Sequence, residues 1–120
     1  MTAVQSALAI RRREAAKRRS RVGLFANEAA VKKRICKHLR MAGAWVTMPH
    51  QRGFSQKGVP DILACYKGRF LGIEVKYNGN TTSEFQDIQL NKIEAAGGIS
   101  LVLDETNWRL ILLWLQHVGE

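Results

Sequence analysis

The stretch "GVPDILACYKGRFLGIEVK", from Gly58 to Lys76, decides the fold of this chain. Its two apolar runs, "DILACY" and "FLGIEVK", are separated by "KGR", a pattern that predicts two antiparallel strands joined by a tight turn. A two-residue turn centred on Lys67 and Gly68 would place Asp61 directly opposite Glu74. A bulge or a longer loop would shift this register by one or two residues, and a shift of two would bring Asp61 opposite Lys76.

This arrangement predicts a metal site built on two carboxylates. Side chains alternate along a strand, so Glu74 and Lys76 project from one face. Facing carboxylates destabilise a sheet unless something neutralises them, and a hard divalent cation such as Mg²⁺ does so while keeping positions open for a substrate phosphate. A bound ion would activate water, and Lys76 would orient that water or stabilise the added negative charge. The alternative interpretation makes Asp61 a turn residue and leaves Glu74 and Lys76 on a solvated strand edge.

The flanking sequence predicts an α/β fold. Asn27 is a candidate N-cap for a helix in which Val31, Ile35 and Leu39 form an apolar stripe, with Gly43 at its end. The other segments are strands "AWVTMP" and "ISLVL", a helix "SEFQDIQLNKIEAAGG", and a final helix in "NWRLILLWLQHVGE". The predicted order is therefore α, β, β, β, α, β, with a further α, in a mixed sheet flanked by helices.

The length of 120 residues predicts one compact domain. We divide the chain into a basic N-terminal arm, 1–25, and a domain, 26–120. No apolar run is long enough to cross a bilayer and no secretory signal is recognisable, so the expected location is the cytoplasm of a bacterium or of a phage-infected host cell. Cys36 and Cys65 show no metal-binding spacing and are predicted to be core thiols.

The charge distribution predicts a nucleic-acid partner. Residues 1–60 contain 14 basic and 2 acidic side chains, whereas residues 61–120 contain 5 basic and 8 acidic ones. Neutralising phosphates with basic side chains releases condensed counterions, so a basic half favours binding to a polyanion. A solvated basic surface or affinity for acidic lipid is the alternative. The candidate DNA-binding residues lie in the arm, the first helix and the loop before Gly58: Arg18, Arg19, Lys32, Lys33, Lys37, Arg52, Ser55 and Lys57.

Two short motifs resemble those of a known nuclease family. "VPD" at 59–61 and "EVK" at 74–76 are similar to the signature of the PD-(D/E)xK nuclease superfamily. More narrowly, "GVPD", "GIEVKYNGNTTSEFQ" and "AAGGISLVL" resemble the VRR-NUC family, the virus-type replication-repair nucleases. The resemblance extends over about Asn27 to Leu103. It implies a restriction-endonuclease-like αβββαβ core and Mg²⁺- or Mn²⁺-dependent cleavage of DNA phosphodiesters that leaves 5′ phosphate and 3′ hydroxyl ends.

The resemblance also implies roles for individual residues. Asp61, Glu74 and the Val75 carbonyl would ligate the metal, and Lys76 would be the catalytic lysine. Glu28 would be the family's first-helix glutamate, although a first-turn acid also complements a helix N-terminus.

The family's glutamine after the third strand would be Gln86. Gln89 competes for this role, because it lies one turn later on nearly the same helix face.

The function predicted from the sequence is a metal-dependent, structure-selective DNA endonuclease that acts on branched DNA. The resemblance to phage and bacterial members of the family suggests a homodimeric Holliday-junction resolvase in DNA repair or recombination. Symmetric nicking of two strands requires two sites related by a two-fold axis, and the apolar face around Trp108, Ile111 and Leu115 is the predicted dimer contact. The alternative is a basic nucleic-acid-binding protein without catalysis, which the paired carboxylates disfavour because they repel phosphate.

Overall fold

The computed structural model describes residues 25–50 and 56–118. In these ranges the chain forms helices and strands in the predicted order. They are α1 (Glu28–Met41), β1 (Trp45–Thr47), β2 (Ile62–Tyr66), β3 (Arg69–Val75), α2 (Glu84–Ala95), β4 (Ile99–Leu103) and α3 (Leu110–His117).

The four strands form one mixed sheet in the order β1-β2-β3-β4. β1, β2 and β3 are antiparallel neighbours, whereas β3 and β4 run parallel because α2 connects them. The β2–β3 hairpin has the predicted register, with Tyr66 opposite Arg69. Its two turn residues, Lys67 and Gly68, have φ angles of 49° and 78°, the left-handed conformation that a two-residue hairpin turn requires. The tight turn therefore sets the pairing along the whole hairpin.

The main core lies between the sheet and the helices α1 and α3. The predicted stripe of Val31, Ile35 and Leu39 is fully buried in it. Asn27 accepts a hydrogen bond from the Ala30 amide at 2.9 Å and so caps α1, as its position predicts. The first helix is thus fixed against the sheet at the end where Asp61 begins β2.

The predicted dimer contact on α3 is wrong for its two largest members. Trp108 and Ile111 are buried in the core of the single chain, and the partly buried Leu115 packs against that core. In α3 itself Ile111 and Trp114 are buried in the core, whereas Leu113 is 40% exposed. Phe25, the last residue of the predicted arm, is also buried, with its ring centroid 5.9 Å from that of Trp108.

Cysteine placement differs from the prediction at one position. Cys36 is buried on α1, but Cys65 is exposed on β2. Cys65 lies opposite Trp45 on β1 and Phe70 on β3, and these three residues form an exposed row across one face of the sheet. A core thiol was expected because Cys65 is isolated and lies in a predicted strand, but the buried residues of this strand, Ile62 and Ala64, are on the opposite face.

None of the helices in residues 25–50 and 56–118 is long and apolar enough to span a membrane.

Candidate active site

The site is built on the open end of the β2–β3 hairpin. Asp61 precedes β2 and lies one step beyond the pair Ile62 and Ile73, which puts it opposite Glu74 as the turn predicts. The Val75 amide donates a hydrogen bond to Asp61 Oδ2 at 2.9 Å, and the Asp61 amide donates to Glu74 Oε1 at 3.3 Å. Each carboxylate is therefore held by a main-chain N–H of the opposing segment.

Glu74 is buried beside a second acid. Its exposed fraction is only 2%, and its side chain is surrounded by the sheet and by the segment before β2. Burial, and next the negative charge of Asp61, raise the pKa of Glu74 to about 8, although the ammonium group of Lys76 acts in the opposite direction. A neutral or half-neutral glutamic acid is the form that this pocket favours when no other cation is present.

Lys76 belongs to the same cluster. Its Nζ lies 3.4 Å from Glu74 Oε2, and its amide donates to the Leu103 carbonyl at 2.9 Å, which extends the β3–β4 pairing past the end of β3. The main chain of Lys76 is thus anchored while its ammonium group reaches the acid pair. The sequence prediction that Glu74 and Lys76 share one face is confirmed.

The first helix brings a second lysine to the site. Lys32 Nζ lies 3.3 Å from Asp61 Oδ1 and 3.4 Å from Glu28 Oε1. Burial acts to lower the pKa of Lys32, but the charges of Asp61 and Glu28 outweigh it, so the pKa is raised above its ordinary value. Lys32 was predicted to grip a DNA phosphate, whereas here its ammonium group pairs with two acids of the site.

Glu28 therefore approaches the carboxylate pair through Lys32. Its carboxylate contacts the ammonium group that also contacts Asp61. Sequence reasoning placed Glu28 in the site but missed this bridge. The spacing of four residues between Glu28 and Lys32 was the available signal, because it puts both side chains on one face of a helix.

Gln86 has a structural role at the start of α2. Its side-chain Oε1 accepts a hydrogen bond from the Ser83 amide at 2.8 Å, and the Gln86 amide donates to Ser83 Oγ at 3.2 Å. This reciprocal pair of hydrogen bonds is a capping box, which the spacing "SxxQ" before an amphipathic segment predicts. The competing Gln89 donates from its side chain to Gln56 at 3.4 Å. These contacts hold the loop and the helix, and the catalytic assignment of Gln86 stays a prediction.

The position of Asp61 depends on close packing behind it. Gly58 has a φ of 81°, and a Cβ at this residue would lie 2.3 Å from the main-chain carbonyl carbon of Phe85. On β3, a Cβ at Gly72 would lie 3.2 Å from Cγ of Pro60, and 2.6 Å from Cδ1 of Ile93 on α2. The two glycines let the segment Gly58 to Asp61 lie directly against α2 and the sheet. The close packing of the "GVPD" motif against α2 and β3 thus fixes the position of the Asp61 carboxylate.

Apart from Lys32, the predicted DNA-binding residues fall into two groups. Lys33, Lys37 and Lys57 are exposed, and Lys57 Nζ lies 5.1 Å from the ring centroid of Phe85. The remaining candidates lie outside the described residues: Arg18, Arg19, Arg52 and Ser55.

The donor set fits a hard divalent cation. In the part of the chain that the structure describes, no group of three or more His, Cys, Asp and Glu side chains is arranged to hold a metal ion. The two facing carboxylates of Asp61 and Glu74 are nevertheless oxygen donors of the kind that Mg²⁺ and Mn²⁺ prefer, and carbonyl and water oxygens complete such sites. Burial, and next the charge of Asp61, raise the pKa of Glu74, so added positive charge would stabilise the ionised pair. A dication would supply that charge.

Comparisons with known proteins bear on the fold. No protein-family model matches the chain, and no curated protein matches it. Among solved structures, one described as a VRR_NUC domain superposes with a TM-score of 0.60 at 22% identity, covering 76% of this chain and 96% of that one. The chain has the fold of a VRR_NUC domain. The predicted resemblance is thereby confirmed at the level of the fold, as is the mixed sheet flanked by helices.

A looser match is Hjc, a Holliday junction resolvase from the archaeal hyperthermophile Archaeoglobus fulgidus. It is 24% identical, with a TM-score of 0.49, and the match covers 62% of this chain and 64% of Hjc.

Within the VRR_NUC fold of the present chain, the acid pair lies where the main hairpin opens, between the first residues of α1 and the segment that precedes β2.

Proposed function

We propose that this protein is a Mg²⁺- or Mn²⁺-dependent endonuclease that hydrolyses phosphodiester bonds in DNA. One observation carries the proposal: two carboxylates, Asp61 and Glu74, are held face to face in a nearly buried position with a lysine ammonium group 3.4 Å from one of them. Such a pair destabilises the folded protein unless a cation joins it. The match to a VRR_NUC domain supports the nuclease assignment, because the site lies on that fold.

In this proposal Asp61, Glu74 and the Val75 carbonyl would hold the ion. When bound, the ion would lower the pKa of water and stabilise charge on the reacting phosphate. Lys76, anchored through its main chain, would place its ammonium group beside the attacked phosphate and donate hydrogen bonds to oxygens that gain negative charge. The hydrolysis would break the bond between phosphorus and the 3′ oxygen, leaving a 3′ hydroxyl and a 5′ phosphate.

The exposed lysines of α1 support a DNA substrate recognised by its backbone. Lys33 and Lys37 are four residues apart and exposed on one side of a helix whose N-terminal turn reaches the site. Contacts of this kind position a duplex without reading bases, so recognition would follow DNA shape. We therefore retain branched DNA as the proposed substrate, and the cytoplasm as the proposed location.

We also propose that the protein acts as a homodimer, since paired cuts in a four-way junction need two sites related by a two-fold axis. The exposed apolar row of Trp45, Cys65 and Phe70 supports a contact on the part of this sheet face that α2 leaves exposed. Trp45 is 62% exposed and Phe70 is 41% exposed, and Cys65 lies between them on β2, so the three form an exposed apolar patch. Light scattering of the wild type and of Trp45→Glu tests this point: a dimer that becomes a monomer supports it, and a monomeric wild type contradicts it.

The activity is tested with a panel of four-way, flapped, linear and single-stranded DNA substrates, titrated with Mg²⁺ and with Mn²⁺. We expect cleavage that needs the metal and is lost in Asp61→Ala and Lys76→Ala while DNA binding persists. Glu84→Ala and Lys92→Ala are matched controls, because they remove one exposed charge of the same sign from α2. Binding without cleavage under every metal condition would instead support the non-catalytic nucleic-acid-binding protein.

A further inference from the structure

Lys32 is the charged residue of the site that the hydrolytic proposal leaves without a role. Its side chain is 28% exposed, and its ammonium group lies between Glu28 Oε1 at 3.4 Å and Asp61 Oδ1 at 3.3 Å. It reaches the acid pair from α1, whereas Lys76 reaches it from the end of β3. The two acids are therefore neutralised by lysines that come from different parts of the fold.

The four carboxylate oxygens of the pair are occupied in two different ways. One oxygen of each acid accepts a main-chain hydrogen bond, Asp61 Oδ2 from Val75 and Glu74 Oε1 from Asp61. The other oxygen of each acid faces an ammonium group, Asp61 Oδ1 that of Lys32 and Glu74 Oε2 that of Lys76. The main-chain contacts are fixed by the sheet, whereas a lysine on a flexible four-carbon stem can leave without moving the backbone.

A dication at the pair and an ammonium group on the same oxygen repel each other more strongly than the ammonium group is attracted to one carboxylate. Both interactions act over similar distances, but the repulsion involves twice the charge. The Asp61 contact of Lys32 is thus one that a metal ion has to replace. Glu28, one helical turn away, remains as a second partner that keeps the released ammonium group near the site.

We propose that Lys32 is an exchangeable cation that occupies Asp61 when no metal is bound, is displaced by the metal, and then neutralises a phosphate of the DNA. This rests on the proposed function, which it deepens by coupling two binding events. Metal binding strengthens DNA binding because it frees a positive charge, and DNA strengthens metal binding by the same factor. Once the metal is bound, Lys32 is a DNA-binding residue in this scheme, and it leaves the reacting atoms to Lys76.

The test compares Lys32→Met with Lys33→Met in the full chain. Both variants remove one positive charge from neighbouring positions of α1, but Lys33 is exposed and points away from the acid pair, because α1 turns by about 100° per residue. Mn²⁺ affinity is measured by titration calorimetry without DNA. We expect Lys32→Met to bind Mn²⁺ about tenfold more tightly than Lys33→Met, since the competing ion pair is removed.

The second measurement uses a four-way DNA junction, titrated in EDTA and in Ca²⁺ under conditions in which no cleavage is detected. In the wild type and in Lys33→Met, we expect Ca²⁺ to increase DNA affinity by the same factor. In Lys32→Met, we expect that factor to shrink at least about threefold, because the charge that metal binding releases is missing. Circular dichroism confirms that each variant is folded, and Lys32→Gln is a second variant with a polar side chain.

The outcomes separate this inference from the proposed function. If the wild type binds Mn²⁺ and cleaves DNA, but Lys32→Met and Lys32→Gln bind Mn²⁺ no more tightly than Lys33→Met, the exchange is overturned and the endonuclease remains. Weaker Mn²⁺ binding in both Lys32 variants also overturns it, because Lys32 would then hold Asp61 in place for the metal. A wild type that binds no Mn²⁺ at the Asp61 and Glu74 pair overturns both proposals.

Discussion

Two buried carboxylates, Glu74 and Asp104, lie at the ends of the parallel neighbours β3 and β4, but their hydrogen-bond partners differ in kind. Glu74 is 2% exposed and Asp104 is 1% exposed. Asp104 Oδ1 accepts hydrogen bonds from the amides of Thr106 and Asn107 and from the Thr106 hydroxyl, at 2.6 to 3.1 Å. In return, Asn107 Oδ1 accepts from the Asp104 amide at 2.7 Å. The chain within three residues of Asp104 therefore satisfies it.

Glu74 has no such local turn around it. Its nearest partners are another acid, Asp61, and the flexible side chain of Lys76. A buried carboxylate that accepts main-chain hydrogen bonds stabilises a turn. One that is held against a second carboxylate is stabilised only when positive charge lies beside it. The comparison separates a structural acid from an acid that is positioned to bind something.

The largest expected effect concerns cleavage. Glu74→Gln should lower the rate of metal-dependent DNA cleavage by about 1000-fold, because it removes a metal ligand and leaves the amide in its place. Asp104→Asn should change the rate by less than about threefold, since an amide oxygen still accepts the hydrogen bonds of the turn. Single-turnover cleavage at saturating Mn²⁺ measures both. Equal losses in the two variants would break the distinction between the two acids.

The second prediction concerns the packing that positions Asp61, the acid that faces Glu74. Gly58→Ala should lower the free energy of unfolding by about 3 kcal/mol, because the new Cβ meets the main chain of α2 and φ is positive. Gly43→Ala is the control, with a φ of 93° and nothing within 4 Å of the new Cβ, and should cost only about 1 kcal/mol. Urea denaturation measures both variants. If their costs are the same, the packing behind Asp61 is looser than described.

The third prediction tests the satisfied acid. Asp104→Ala should lower the free energy of unfolding by about 2 kcal/mol, because it leaves buried N–H groups of Thr106 and Asn107 without their acceptor. Asp87→Ala is the matched control: Asp87 is exposed and accepts from the Thr82 hydroxyl, so its loss should cost less than about 0.5 kcal/mol. Urea denaturation again gives the difference. If Asp104→Ala has the same free energy of unfolding as the wild type, the turn forms without its carboxylate.

The smallest expected effect is the pH dependence that Glu74 gives to the free energy of unfolding. In metal-free protein, folded Glu74 keeps its proton up to about pH 8, whereas in the unfolded chain it is released near its ordinary value of 4.5. The folded state binds more protons in this window, so the free energy of unfolding falls as pH rises from 4.5 to about 8. Glu74→Gln should remove this fall and be more stable than the wild type by about 1 kcal/mol at pH 7 in EDTA, because loss of the ion pair with Lys76 offsets much of the gain.

The measurement for this prediction is urea denaturation of both proteins at several pH values, with EDTA throughout. The difference between them isolates the contribution of Glu74 from those of the other titrating groups. A wild type more stable than Glu74→Gln at every pH would mean that Lys76 and Lys32 already satisfy the pair.

Much of the site followed from local patterns. "KGR" between two apolar runs predicted the turn, and the turn put Asp61 opposite Glu74, because antiparallel pairing fixes every later pair once the first is known. The N-caps at Asn27 and Ser83 followed from short polar side chains placed before amphipathic segments.

Other features depended on contacts between distant segments. The spacing of Glu28 and Lys32 pairs these two residues, but it does not show that Lys32 reaches Asp61, since that depends on how α1 is rotated against the end of the sheet. The apolar excess of α3 was interpreted as an interface, because the sequence does not show that Trp108 is enclosed by Phe25 and α1. Gln86 was assigned to catalysis although its spacing from Ser83 already announced a capping box.

By itself, the sequence determined the elements, their order and the facing acids of the hairpin, because propensities, caps and a two-residue turn act over a few residues. Only the tertiary structure decided that Glu74 is buried, that Lys32 joins Glu28 to Asp61, and which part of the sheet is left exposed. Burial and ion pairing depend on the packing of segments that are far apart in the chain, and that packing sets the electrostatics of the site.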